Sequence, residues 1–383
     1  MSTEKISIKT GPPVEGVDFY GREKELQYAW EYHISKGVSL LLSAPRRVGK
    51  SSFSKKLLKR AEENGWKTLY LDLQGTITES EFVKLFKKEL KSEKWWNKAG
   101  NTILKLLEGI EDWEVAGIKI NPKVWRNDTY EKIKQLIENT EDILIVIDEL
   151  TIYLNHLLSQ ENGEERVEFF LEWLRSFRQT TKVRWIFCSS VGIENFASMH
   201  QLSKHLNDLH SFPIGAFSEY EAKNFISRLD VDEKVHFTKE HIQYILDKLV
   251  WHLPFFIQIL IEKINFLICI EDRQLSYETI DEAYNLLITE KHFNTWDERL
   301  KEYGAFEINA RKILKLCVLP IGESRENLLA NLSAKNGDID KTENILAKLL
   351  NMLQNDGYLI ENKGKYMFRS PLLRDFWYHR FIL

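Results

Sequence analysis

The sequence is short of cysteine, of net charge and of long apolar runs, and each shortage excludes a class of protein. Three cysteines occur in 383 residues: Cys188, Cys269 and Cys317. They are far apart, with no C-x-x-C pair and no metal-ligand spacing, so neither a disulfide framework nor a structural zinc site is expected. Buried thiols in a reducing compartment are the simpler reading. The formal net charge is only -4, which argues against a molecule built as a whole to coat nucleic acid or an anionic membrane. The polar start of the chain does not resemble a signal peptide. The most apolar stretch, "FFIQILIEKINFLICI" (Phe255 to Ile270), is interrupted by Glu262, Lys263 and Asn265. It reads as a buried core helix rather than a membrane span. The cytoplasm is the expected location. No internal repeat and no low-complexity tract is visible.

With 43% hydrophobic and 29% charged residues, the chain has the composition of a folded protein, and its length suggests two or three domains. Residues 1–18, containing Gly11-Pro12-Pro13, read as an extended leader. From Phe19 to Gly37, apolar Leu26, Ala29, Trp30 and Ile34 fall at helical spacing, and Gly37 is placed to end the helix. "VSLLLSA" reads as a strand, "KSSFSKKLLKRAEENG" as a helix and "WKTLYLDLQG" as another strand. That order is a βαβ unit and implies a parallel sheet. Residues 78–140 read as mostly helical, with an interruption at "VAGIKINPKVW" (Val115 to Trp125) that resembles a short hairpin. "DILIVIDEL" (Asp142 to Leu150) is the strongest buried strand. "VEFFLEWLRSFRQ" reads as an amphipathic helix and "VRWIFCSS" as the next strand.

Beyond about residue 215 the strand signal fades. Four helical segments follow, two of them with Ser218 and Thr238 as expected N-caps. From about Ala305 come three more helices and two β runs, "YLIEN" and "KYMFRS", joined across Asn362-Lys363-Gly364: a winged-helix outline. The aromatic tail "FWYHRF" reads as a docking or core segment. The expected domains are thus a leader (1–18), an α/β core (19–214), a helical domain (215–304) and a winged helix (305–383).

"LLLSAPRRVGKSSF" (Leu40 to Phe53) carries the clearest chemistry. A phosphate-binding P-loop reads G-x-x-x-x-G-K-[ST], and here Ala44 stands at the first glycine. Successive backbone N–H groups and a helix N-terminus bind phosphate oxygens, a lysine reaches the β- and γ-phosphates, and a hydroxyl binds Mg²⁺. Gly49, Lys50 and Ser51 supply the last three positions. Pro45 has no N–H, so the cradle runs from about Arg47 through Val48 to Ser51 and Ser52, with Arg46 and Arg47 flanking it. A methyl at Ala44 costs about 1–2 kcal/mol if the backbone there needs positive φ, and almost nothing otherwise. Downstream, "ILIVIDEL" places Asp148 at the carboxyl edge of the sheet, where open α/β sheets bind ligands. Asp148 would hold Mg²⁺ through water, and Glu149 would polarise a water aimed at the γ-phosphate. Ser189 and Ser190 end the next strand and could touch that water or serve as turn residues.

Together these pieces resemble the AAA+-related ATPases of the STAND and origin-recognition-like branch, in particular the archaeal-type ATPases, and the resemblance runs from Phe19 to Arg380. "FYGREKELQ" is similar to the family's N-terminal box, which implies that Tyr20, Gly21 and Arg22 lie against adenine and ribose. "APRRVGKSSF" and "ILIVIDEL" are similar to Walker A and Walker B, "VRWIFCSS" to the sensor-1 strand, and "FPIGAFSEYEAKNFI" to the approach to the helical lid. The family's lid motif is G-x-P. Here it reads His252-Leu253-Pro254, so Pro254 keeps its place near the nucleotide but the glycine is missing. The resemblance implies a P-loop parallel-sheet core, a lid and a winged helix. It also implies ATP and Mg²⁺ as cofactors, with Lys50, Asp148 and Glu149 in catalysis and Ser51 and Asp148 on the metal.

ATP bound between core and lid would then act as a switch controlling self-assembly or a protein partner, and signalling or anti-phage defence suits the family. Arg175, Arg178, Arg184 or Arg228 could reach a γ-phosphate or simply form ion pairs. Two alternatives stay open: a DNA-associated ATPase using the winged helix, and a scaffold that binds nucleotide without hydrolysis. From Ala305 to Leu383 there are 12 Lys plus Arg against 9 Asp plus Glu, an excess of 3. The candidate recognition helix carries Asp340 and Glu343 beside Lys341 and Lys348 and has no arginine, so its charge does not favour DNA. A small-molecule kinase is the weakest reading, since no acceptor pocket is suggested.

Overall fold

The computed structural model describes residues 4–92, 122–138, 142–189, 192–333 and 339–383. The chain divides into two compact units. A sheet unit comprises Arg22–Ser43 and Lys50–Pro213, and a helical unit comprises Met1–Gly21, Ala44–Gly49 and Ile214–Leu383.

In the sheet unit, α1 (Glu23–Tyr32) leads to β1 (Leu40–Ser43), α2 (Lys50–Glu63), β2 (Lys67–Asp72), α3 (Glu79–Ser92), α4 (Pro122–Glu138) and β3 (Ile143–Asp148). Then come α5 (Leu150–Leu158), α6 (Gly163–Thr180), β4 (Arg184–Cys188), α7 (Ile193–Met199) and β5 (His210–Pro213). The five strands are ordered β2-β3-β4-β1-β5 and every neighbouring pair is parallel. All six residues of β3 are buried, as a central strand covered on both faces requires.

Side chains alternate across each strand, and this sorts them into two layers. Ile143, Ile145 and Ile147 join Leu69 and Leu71 in a core with Phe82, Phe86, Tyr130, Phe170 and Trp173. Burying each phenylalanine is worth about 1.5–3 kcal/mol, and Phe82 meets Phe170 and Trp173 edge-on. On the opposite face Thr68 and Tyr70 meet α2: the Thr68 hydroxyl donates to Glu62 Oε1 at 2.7 Å, and Lys55 Nζ lies 5.2 Å from the centre of the Tyr70 ring. Asp148, two residues beyond Val146, shares this face.

The expected hairpin at Val115 to Trp125 is corrected in part: Pro122 to Trp125 form the first turn of α4, where proline at the start of a helix loses no hydrogen bond. The rest of that segment lies outside the described residues.

In the helical unit the N-terminal segment is docked. Ile6 bridges Leu229, and Lys9 pairs with Asp18 at 2.6 Å. The helices are α8 (Glu219–Arg228), α9 (Lys239–Leu249), α10 (Pro254–Cys269), α11 (Tyr277–Thr289) and the short α12 (Asn294–Glu298). Ser218 and Thr238 cap α8 and α9 with reciprocal capping boxes. Helix α10 is the apolar stretch, buried from Phe255 to Ile261. Among the described residues no helix is long and apolar enough to cross a membrane.

The chain then runs α13 (Glu307–Leu316), β6 (Glu323–Ser324), α14 (Arg325–Ser333), α15 (Ile339–Asn355), β7 (Leu359–Asn362), β8 (Lys365–Phe368) and α16 (Pro371–Phe381). The strands form an antiparallel sheet ordered β6-β8-β7. Helix α16 buries Leu372, Leu373, Phe376 and Trp377, so the aromatic tail begins in the core, while Tyr378 is exposed.

Gly357, between α15 and β7, has φ +85, and a Cβ there would lie 2.7 Å from Pro45 Cβ and 2.8 Å from Trp251 Cη2. Both backbone and space demand glycine. Gly357→Ala is expected to destabilise the protein by about 2–4 kcal/mol, the sum of left-handed strain and overpacking, measured as a loss of unfolding free energy in denaturant.

Candidate nucleotide site

Strand β1 ends at Ser43 and the chain turns through Ala44–Gly49 into α2. Ala44 does not have positive φ; the left-handed residues of the turn are Arg47 (φ 63) and Gly49 (φ 98). The methyl of Ala44 is therefore compatible with its backbone, and the strain of the loop, about 1–2 kcal/mol, sits on Arg47. Gly49 is required for conformation rather than room, since a Cβ on it would meet nothing within 4 Å. A left-handed residue within a turn makes neighbouring N–H groups converge, the geometry of an anion-binding nest. Helix α2 starts immediately afterwards at Lys50.

Contacts within the helical unit hold the loop. Pro45 is buried against Gly357. The Arg47 guanidinium lies 4.4 Å over the ring of Phe255, the residue after Pro254, and burial followed by the nearby Arg299 charge lowers its pKa. Pro254 is the first residue of α10, preceded by Leu253 as N-cap. Val48 is fully buried.

In the sheet unit Lys50, Ser52, Asp148 and Ser189 are buried, while Ser51 and Glu149 are half-buried. Cys188 shows how the first turn of α2 meets the tip of β3. Its thiol pKa is driven far up, first by burial and then by the Asp148 charge, with the neighbouring Ser54 side chain and the Lys50 charge acting the other way. The Ser54 hydroxyl also donates to the Ser51 carbonyl at 3.0 Å.

Both oxygens of Asp148 are engaged. Oδ1 accepts the Glu149 N–H at 2.9 Å, and Oδ2 accepts the Tyr70 hydroxyl at 2.6 Å. Burial, and then the Asp148 charge, raise the Tyr70 pKa, so the phenol stays a donor. Glu149 takes left-handed backbone angles (φ 55, ψ 35) and opens α5. Ser189 Oγ accepts the Thr151 N–H at 3.2 Å, tying the end of β4 to the first turn of α5. Ser190 lies outside the described residues.

The other expected site residues are distributed between the units. Tyr20 and Gly21 belong to the helical unit, where the Tyr20 ring packs on Phe217 and Phe225 and lies beneath Arg228. Arg22 is buried and left-handed at the start of α1. Arg178 makes two hydrogen bonds to Asp208, at 2.8 and 2.7 Å, and a third to the His205 carbonyl. It is an ion-pair residue. Tyr70 escaped the sequence reading, as did the left-handed conformation of Arg47, a residue that was itself expected in the loop. A tyrosine two residues before Asp72 is a faint signal, because only the register of Tyr70 opposite Val146 reveals its nearness to Asp148.

Because Ala44 needs no positive φ, Ala44→Gly is expected to leave nucleotide affinity within about 2-fold. It should lower stability by about 0.4–1 kcal/mol through the freer unfolded chain. Titration with a fluorescent nucleotide and denaturant unfolding check the two parts separately.

No protein-family model matches the sequence, and no curated protein matches it. Solved structures do. The Walker-type ATPase PABY2304 of Pyrococcus abyssi aligns with 97% of this chain and 99% of its own at 16% identity and a TM-score of 0.61. The ORC2 protein of Aeropyrum pernix, solved as ADPNP–ADP complexes, aligns with 97% of this chain and 96% of its own at 12% identity and a TM-score of 0.54. At such identities the likeness concerns the fold. The chain has the P-loop ATPase fold, the α/β class expected from its sequence.

Proposed function

We propose that the chain binds ATP with Mg²⁺ and hydrolyses it, and that nucleotide state controls self-assembly or binding of a protein partner. The observation that carries this reading is the chain of contacts from the P-loop helix to the acidic strand end: Lys55 of α2 lies 5.2 Å over the Tyr70 ring, and the Tyr70 hydroxyl donates to Asp148 Oδ2 at 2.6 Å. The Pyrococcus protein is named an ATPase and the Aeropyrum protein was solved with ADPNP and ADP. Both support nucleotide binding on this fold.

Each residue has a chemical role in this reading. The N–H groups from Arg47 to Ser51 and the start of α2 cradle the phosphates. Lys50 neutralises their charge. The Ser51 hydroxyl and the Asp148 carboxylate are hard oxygen donors of the kind Mg²⁺ takes when phosphates complete its shell, and they would hold the ion. Bound there, Mg²⁺ would offset phosphate charge. Glu149 orients a water and accepts its proton as the water oxygen attacks the γ-phosphorus. The bond to the bridging oxygen breaks, and ADP and inorganic phosphate leave. Tyr20, Gly21 and Arg22 are proposed for the base and ribose, Pro254 for the nucleotide's flank, and Ser189 for placing α5 behind Glu149.

The switch rests on the packing of Pro45 and Arg47. Phosphate binding acts on the same short loop whose side chains lie against Phe255 and Gly357, so a change in loop geometry is felt by α10 and by the α15–β7 turn. We read residues 215–304 as a lid and 305–383 as a winged helix, on the order α13-β6-α14-α15-β7-β8. Its small positive excess favours a protein contact over DNA.

Equilibrium binding and steady-state turnover test the assignment together. Lys50→Ala is expected to weaken ATP binding at least about 10-fold. Glu149→Gln is expected to keep binding within about 2-fold while turnover falls about 10²–10⁴-fold, the usual worth of a general base. Parent-like turnover in Glu149→Gln overturns the role of Glu149, and absence of ATP binding by the parent overturns the whole reading. For the switch, light scattering is expected to show a different mass with a slowly hydrolysed ATP analogue than with ADP; equal masses, and equal binding to partner, overturn it.

A further inference from the structure

We infer that Tyr70 is a positioning residue that fixes the Asp148 carboxylate for magnesium, an inference that rests on the metal role proposed for Asp148. Tyr70 stands on β2 opposite Val146, and Asp148 lies two residues further along β3 on the same face. A tyrosine spans that diagonal, and its hydroxyl donates to Oδ2 at 2.6 Å. Lys55 of α2 lies over its ring at 5.2 Å, so the ring is held between the P-loop helix and the sheet.

The terminal torsion of an aspartate is soft, a broad two-fold well rather than three sharp ones. The Glu149 N–H alone, at 2.9 Å on Oδ1, fixes one oxygen and leaves the carboxylate free to swing about it. The Tyr70 hydroxyl on Oδ2 supplies the second point. With two of about four lone-pair sites occupied, the remaining ones have defined directions. Partners that orient a metal ligand in this way are commonly worth 10–100-fold in metal affinity.

The test is equilibrium binding of a fluorescent ATP analogue to the full chain, measured without magnesium and across a titration of free Mg²⁺. In Tyr70→Phe, which keeps the ring and removes the donor, the half-saturating Mg²⁺ concentration is expected to rise about 10-fold. Magnesium-free affinity is expected to stay within about 2-fold of the parent. In an Asp148→Asn background the same substitution is expected to add nothing, because the two residues act through one bond.

An unchanged magnesium midpoint in Tyr70→Phe overturns the inference. Equal loss of magnesium-free and magnesium-dependent binding also overturns it, since that is damage to the fold. A Tyr70→Phe chain that does not fold is met by the single Asp148→Asn and the double variant: if the double folds and has a weaker magnesium response than the single, Tyr70 acts elsewhere and the inference falls. If the parent shows no magnesium dependence, or Asp148→Asn keeps it in full, the metal role of Asp148 fails instead, and the two failures are told apart.

Discussion

A carboxylate buried at the end of an all-aliphatic strand is costly unless its oxygens are satisfied, and the geometry of the sheet unit depends on how that cost is met. Asp148 is 4% exposed. The aliphatic residues of β3 drive the strand to the centre of the sheet and carry its last residue into an apolar interior. Two donors await it there: the backbone N–H of Glu149, bent back by left-handed angles, and the hydroxyl of Tyr70. Hydrogen bonds to a charged group are worth about 1.5–3 kcal/mol each, enough to keep the carboxylate in place. The same arrangement fixes the direction of the carboxylate at the end of an aliphatic strand.

The turn between β1 and α2 obeys a different constraint. Its six residues, Ala44–Gly49, belong by contacts with the helical unit, while the helix they lead into belongs with the sheet. Pro45 against Gly357, and Arg47 over Phe255, hold the loop from its helical side. Arg47 carries a left-handed backbone, which only a well-determined surrounding maintains. Strain on the residue at the turn, with apolar contacts over its side chain, gives the loop a definite shape. It also gives that shape a path for influence on α10 and α15.

How much of this could be read in advance depends on the range of the interaction. The βαβ start, the buried strand β3, the N-caps Ser218 and Thr238 and the helical stretch beyond residue 215 rest on local periodicity and capping, which a sequence displays directly. Strand β6, two residues long, has no periodicity to display; it exists because β8 pairs with it. Strand β5 alternates poorly because it is an edge strand with exposed His210 and Ser211. Lys50, Ser51 and Asp148 stand out as candidates from motif spacing alone. Tyr70 does not, because its partner lies 78 positions away and register alone joins them.

Ala44 shows why a motif is best judged by what each position does. The glycine usually written there is replaceable because this backbone stays outside the left-handed region at that residue, and the burden moves three residues on, to Arg47. A similar exchange occurs near the lid motif. The sequence has His252 where a glycine is expected, and the left-handed residue of that segment is Val250 (φ 56), two positions earlier. A β-branched residue in that region is a genuine outlier, and the Trp251 ring that follows it packs against Phe256 of α10 at 5.9 Å. In both turns the demand for an unusual backbone angle is kept but assigned to a different residue.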